Sequence, residues 1–164
     1  MFRRAGSEFS RQLLEKQKLQ FSYGLRERQM RNVFLKSLKA KGVTGTAMLA
    51  ALESRLDNVV FRLGFTPSRS VARQIVNHGH VLVNGKRVSI PAYEVRKGDV
   101  ISPRPGTVGK GALRDIRETI AKYEAPVWLS LDKEKLQGTV LGLPDVSSVP
   151  FDIHLVVDFY SKTV

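Results

Sequence analysis

Arg69 and Arg73 stand four residues apart in the stretch SRSVARQIVNHGHVLVNGKRVSI (residues 68–90), and Lys86 and Arg87 follow as a pair. Cations at fixed positions can neutralise phosphates and release condensed counterions, so affinity for a nucleic acid falls steeply with salt. A second set lies just upstream, where Arg55, Asn58 and Arg62 form a polar stripe at i, i+3 and i+7. Two carboxylates sit among them at i, i+4, Glu53 and Asp57, placed to orient Arg55 or Arg62 rather than to serve as acid and base. In YGLRERQMRNVFLKSLKAKG (23–42), Arg28, Lys36 and Lys39 lie opposite an apolar arc of Met30, Val33, Phe34 and Leu38. Glu27 is the sole acid in that segment, which favours phosphate contact over a merely solvated face.

Groups that could carry catalysis do not assemble. The three histidines are His78, His80 and His154, with no cysteine and no matching carboxylate cluster, so the sequence implies no metal and no cofactor. No nucleophile elbow or Ser-His-Asp order stands out. The basic loop RPGTVGKG (104–111) misses the phosphate-loop spacing, and Gly111 stands where a magnesium-binding Ser or Thr would be required. It is rejected as a nucleotide site. Tyr23, Phe61 and Tyr93 do not form a stacking platform, so a folded RNA suits the charge better than a single strand.

The whole chain bears this out in its charge. It has 164 residues with 27 Lys+Arg against 15 Asp+Glu, a net +12, which points to a polyanion. Residues 1–50 hold 11 basic and 3 acidic side chains, residues 51–111 hold 10 and 4, and residues 112–164 hold 6 and 8. The polyanion should therefore meet the first two-thirds of the chain. No apolar run is long enough to span a bilayer and the N-terminal residues lack a leader's apolar core, so a soluble cytoplasmic protein is expected. No basic helix carries the aromatic-rich face that membrane-surface insertion needs.

These residues need elements to hold them. Residues 8–21 read as a helix capped by Ser7, and Tyr23-Gly24 separates it from a second helix. Gly42 to Gly45 read as a linker. A long helical pattern then runs from Thr46, a candidate cap, to Leu63, where Gly64 stops it; Phe61 points off its apolar face toward a neighbouring domain. Ser68 caps the helix that carries Arg69 and Arg73, and Gly79 closes it. Asn84-Gly85 is the strongest short hairpin signal, with Val81 and Val88 directed to the core and Lys86 and Arg87 at the tip. YEVRKGDVIS reads as strand–turn–strand, 112–124 as a helix and PVWLSLD as a strand. For residues 152–160 periodicity leaves helix and strand open.

The resulting fold class is α+β. An all-helical N-terminal domain (1–50) precedes a domain of two or three helices on a small, mostly antiparallel sheet (51–111), with 112–149 as an extension packed on it.

The pattern SRxxARQxVxxGHVxVNGxRV followed by VxxGDVI resembles the small RNA-binding fold named after ribosomal protein S-four. The surrounding EKQKLQFSYGLRERQMRNVF, LESRLDNVVFRLGF, WLSLD and terminal FYSK resemble the bacterial-type S-four family over nearly the whole chain. The resemblance implies a non-enzymatic primary binder of small-subunit ribosomal RNA that acts early in assembly on the 5′ domain. It also implies a neighbour, ribosomal protein S-five, with an influence on decoding accuracy. Matching positions on the family's RNA face are Lys16, Lys18, Arg26, Arg28 and Arg31 in the first domain and Arg55, Arg62, Arg69, Arg73, Lys86 and Arg87 in the second. With Lys36, Lys39, Asn58 and His80 they complete the candidate RNA-binding set. The resemblance implies that the tail is a helix capped by Asp152 and that segment 150–164 returns to complete the N-terminal domain (1–50). Typical members carry a further basic N-terminal segment, zinc-binding in some lineages, and the contacts it makes are expected to be missing here. The expected location is a cytoplasmic ribosome, with an organellar ribosome as the alternative left open. An RNA-modifying enzyme would need more than the near-neutral residues after 112, and a free-standing RNA chaperone would not need the flanking motifs.

Overall fold

The computed structural model describes residues 7–164; part of the N-terminal stretch read above as lacking a leader core lies outside them. Among the described residues the chain forms seven α-helices and one five-stranded antiparallel sheet, an α+β fold with a helical first part, as expected. It divides into two compact units, 1–52 with 146–164, and 53–145.

In the first unit α1 (Glu8–Tyr23) begins at Ser7, whose hydroxyl accepts from the Ser10 backbone N–H at 3.2 Å. It ends at Gly24, which takes φ +66° and returns its N–H to the Gln20 and Phe21 carbonyls. Helix α2 (Glu27–Leu38) follows. Its buried face is Met30, Phe34 and Ser37; Leu38, assigned above to that arc, is half exposed. Ser37 can take the buried place because its hydroxyl donates to the Val33 carbonyl at 2.7 Å.

Helix α3 (Thr44–Glu53) starts two residues before the expected Thr46 cap, so the supposed linker is partly helix. A Cβ on Gly45 would come within 2.9 Å of the Ile153 side chain, so close packing explains this glycine. The C-terminal residues settle as helix α7 (Ile153–Thr163), which packs on α1. Leu19, Tyr23, Met30, Phe34, Met48, Leu52, Val156 and Tyr160 close the core between them. Asp152 holds the N-cap position without capping through its side chain; its own N–H donates to Glu15 Oε1 at 2.9 Å.

In the second unit the long helix expected from 46 to 63 is broken. Ser54 and Arg55 leave the helix, Arg55 turns extended (φ −64°, ψ 139°), and α4 (Leu56–Arg62) begins anew. The cause is a distant segment: Arg55 bridges Glu94, Leu56 N–H donates to the Tyr93 carbonyl at 2.8 Å, and Val95 N–H to the Ser54 carbonyl at 2.9 Å. Those bonds replace the expected first strand of the 93–102 hairpin. Phe61 packs within its own unit, against its core.

Helix α5 (Arg69–Asn77) is capped by Ser68, which accepts from Val71 N–H, and closed by Gly79 at φ +76°. Strands β1 (Val81–Val83) and β2 (Lys86–Arg87) flank Asn84 (φ +52°) and Gly85 (φ +79°), both left-handed as the hairpin requires. β3 (Val100–Pro103), β4 (Leu129–Asp132) and β5 (Gln137–Val140) complete a sheet of order β2-β1-β3-β5-β4. Asn84 ties the hairpin to β3: its Nδ2 donates to Asp99 and its Oδ1 accepts from Val100 N–H at 2.9 Å. Helix α6 (Ile116–Ala121) is shorter than expected because a 3-10 turn takes Gly111–Leu113. Leu56, Val60, Leu63, Ile75, Val76, Val81, Ile101, Ile120 and Trp128 fill the core.

Candidate nucleic-acid interface

The second unit places its arginines around two buried carboxylates. Arg62 grips Glu53 with both arms of its guanidinium, Nε to Oε2 at 3.0 Å and Nη2 to Oε1 at 2.7 Å. Asn58 donates from Nδ2 to the same carboxylate at 2.7 Å, and its Oδ1 accepts from Arg69 Nε at 2.8 Å. Arg55 grips Asp57 in the same bidentate way at 3.1 and 3.0 Å, and Arg73 reaches Asp57 Oδ2 at 3.3 Å. Arg69 also lies 4.7 Å above the Phe61 ring and Arg62 5.9 Å from it. This is the stripe-and-carboxylate arrangement expected from the sequence, now with four arginines. Paired planar forks of this kind fix orientation as well as charge.

Burial grades these residues. Arg55 and Asn58 are buried, so they brace the cluster from inside. The side chains of Arg62 and Arg73 keep 29% exposure each and turn part of their guanidinium surface to solvent. The Tyr123 hydroxyl donates to the Arg62 backbone carbonyl at 2.7 Å, and burial raises its pKa.

Lys86 and Arg87 are exposed on β2. A Cβ at Gly79 would meet the Arg87 guanidinium, the far end of an exposed flexible side chain that can move aside, so it is the left-handed φ of +76° that calls for glycine here. His80 is half-buried, with its pKa lowered by burial first and then by Arg104, His78 and Arg87. Arg104 and Lys110, exposed on the 104–113 loop, lie outside the candidate set although RPGTVGKG carries both: a loop that misses the phosphate-loop spacing still presents its cations to solvent.

The first unit divides its candidates in the same way. Arg26, Arg28, Arg31, Lys36 and Lys39 are exposed along α2 and at its end, and Lys18 is exposed on α1. Lys16 is buried: its ammonium donates to Glu27 at 2.6 Å and to Gln20 at 3.2 Å, and lies 5.2 Å from the Phe159 ring. Glu27 also accepts from the Tyr160 hydroxyl at 3.1 Å. Burial, and then Glu27, raise the Tyr160 pKa far above the ordinary tyrosine value.

Among the described residues no cluster of His, Asp and Glu could hold a metal ion, and no helix is long and apolar enough to cross a membrane. Residues 54–101 match the S4 domain model, and residues 1–53 match the model of the ribosomal protein S4/S9 N-terminal domain. The small ribosomal subunit protein uS4 of Thermus thermophilus is 47% identical over 161 residues, covering 97% of this chain and 77% of that protein. The chain belongs to the uS4 family. Other members named small ribosomal subunit protein uS4 are similarly close: that of Agathobacter rectalis is 48% identical over 95% of this chain and 80% of its own length, and that of Chloroflexus aurantiacus 44% over 98% and 80%. The uS4 family is structural rather than enzymatic, which agrees with the lack of a catalytic carrier in the sequence.

Proposed function

We propose that this uS4-family chain is a structural RNA-binding component of the small ribosomal subunit, and that it binds folded small-subunit ribosomal RNA through its backbone. The observation that carries this reading is the arginine array, in which Arg62 and Arg73 are held on Glu53 and Asp57, Arg69 donates to Asn58 Oδ1, and buried Arg55 braces Asp57 from inside. Guanidiniums locked before binding lose little freedom on meeting phosphates, and they track the contour of a helix rather than its sequence. The exposed cations of α2 and of β2 supply further phosphate contacts of the same kind. The 5′ domain is the target that the family resemblance favours, with a role early in assembly. A neighbouring position beside ribosomal protein S-five and a cytoplasmic ribosome belong to the same proposal.

The test is filter binding of 5′-domain RNA across salt concentrations. Log affinity should fall linearly with log salt, and Lys86→Ala with Arg87→Ala should lower the slope by about two, one per lost phosphate contact. A flat salt dependence, or equal affinity for an unrelated RNA of the same length, would sink the proposal.

A further inference from the structure

A pocket of about 400 Å³ opens in the second unit, lined by residues from the end of α5, the approach to β1 and the 104–113 loop. Ile75 and Leu113, both buried, give it an apolar wall. His78, His80, Arg104 and Lys110 also line it, and no carboxylate does. The two imidazoles stand edge to face with centroids 6.0 Å apart.

Two further features bear on the site. His80 Nδ1 is covered by protein and has no hydrogen-bond partner, so Nε2 is the ring nitrogen left for a ligand in the pocket to meet. The loop is also anchored: Arg104 N–H donates to the His80 carbonyl at 2.8 Å, and the Thr107 hydroxyl to the Arg104 carbonyl at 2.7 Å. The volume exceeds what a bare anion fills and falls within the range of small-ligand sites.

We propose that this pocket seats one extrahelical nucleotide of the bound RNA, its phosphate against His78, His80, Arg104 and Lys110 and its base or ribose over Ile75 and Leu113. This rests on the RNA-binding reading above. The groups that face His80 are Arg104 from the loop, His78 beyond α5 and Arg87 from β2, none of them acidic. An incoming phosphate therefore brings the missing counter-charge, and His80 takes up a proton as the site fills. By linkage the same site binds more tightly as pH falls toward 6.

The experiment is an NMR titration of the full chain with adenosine monophosphate, adenosine and inorganic phosphate at constant ionic strength. His154, exposed on α7 of the other unit, is the internal reference. The monophosphate should shift the His78 and His80 rings and the Ile75 and Leu113 methyls saturably, leave His154 in place, and raise the His80 midpoint by about one pH unit, a tenfold linkage. Equal affinity for inorganic phosphate would show an adventitious anion only, and shifts shared by His154 would show nonspecific screening; either overturns the proposal. A second arm measures 5′-domain RNA binding by an Arg104→Gln, Lys110→Gln variant, both positions being exposed. A drop of about tenfold with an unchanged melt supports the subsite, and unchanged RNA affinity overturns it. Wild-type chain that binds this RNA yet shows no nucleotide shifts refutes the pocket alone; wild-type chain that does not bind the RNA refutes the reading beneath it.

Discussion

Replacing Asp57 by alanine should unfold much of what the second unit gains from its polar cluster. The Asp57 side chain is 3% exposed and accepts from Arg55, from Arg73 and, at 2.7 Å, from the Asn58 backbone N–H. Without it, Arg55 keeps a buried charge with no counter-ion, which costs about 3–5 kcal/mol. The Asn58 N–H loses its acceptor for about 1 kcal/mol more. The sum is a large share of the roughly 5–15 kcal/mol that holds a typical domain folded. At a slope of about 1–3 kcal/mol per molar urea, the midpoint should fall by about 2 M.

Trp128 makes this readable. It is the chain's single tryptophan and lies in the core of this unit, so its fluorescence reports the second unit's unfolding. Arg73→Ala should cost under about 1 kcal/mol, because its partly exposed ion pair is already screened by water. Replacing Arg55 and Asp57 together by Met and Leu should recover most of the loss, since no buried charge is then stranded. A single Asp57→Ala loss below about 1 kcal/mol, or a double variant worse than the single, would refute the assignment of Arg55 as an internal brace.

In the first unit, Lys16→Met should leave 5′-domain RNA affinity and its salt slope unchanged while lowering the unit's stability by about 1 kcal/mol, because its charge is spent on Glu27; filter binding beside a circular-dichroism melt separates the two. Gly79→Ala should destabilise the second unit by at least about 1–2 kcal/mol through its left-handed backbone alone, and it should also weaken RNA binding by displacing Arg87, with the Trp128 transition and filter binding as readouts. Tyr160 has its pKa raised, so the folded state holds its proton more tightly than the unfolded chain does. Stability from this group is full below the ordinary tyrosine value of about 10 and is lost as pH rises beyond it. Tyr160→Phe should therefore flatten the alkaline limb of the stability curve above about pH 10, measured by urea unfolding.

What the sequence made legible was local. Ser7, Ser68, Gly24, Gly79 and Asn84-Gly85 act through bonds or φ values within a few residues of themselves, so their types announce the ends and turns they make. Arg55 is the contrary case. Its extended backbone is imposed by Tyr93 and Glu94, nearly forty residues on, while Leu52, Leu56 and Leu63 keep one helical rhythm across the break. Periodicity cannot report a break whose cause is tertiary. The candidate site divides on the same line. That Glu53 and Asp57 would orient arginines followed from their neighbourhood, but that Lys16 and Arg55 would be turned inward did not. A cation's type is the same whether it faces a phosphate or a buried carboxylate, and Glu27 lies eleven residues beyond Lys16.

Burying two acids beneath a surface proposed to attract a polyanion looks self-defeating, and the geometry explains why it is not. Arg55, Arg62, Arg69 and Arg73 would repel one another at this spacing, and long side chains left to themselves would swing apart into water. Glu53 and Asp57 cancel two of the four charges and hold the forks of Arg55, Arg62 and Arg73, while Asn58 and Phe61 hold that of Arg69, leaving about two net charges on a surface of fixed shape. Attraction at a distance then falls to cations without an acid in contact, Lys86 and Arg87 among them, which are exposed and add to the salt dependence. The array contributes what loose lysines cannot, donors already aimed before the RNA arrives, so that a helix of the wrong contour leaves some of them unmet. On the proposed function, charge sets how fast and how strongly the chain meets RNA, and the buried carboxylates, by fixing the forks, set which fold of RNA it accepts.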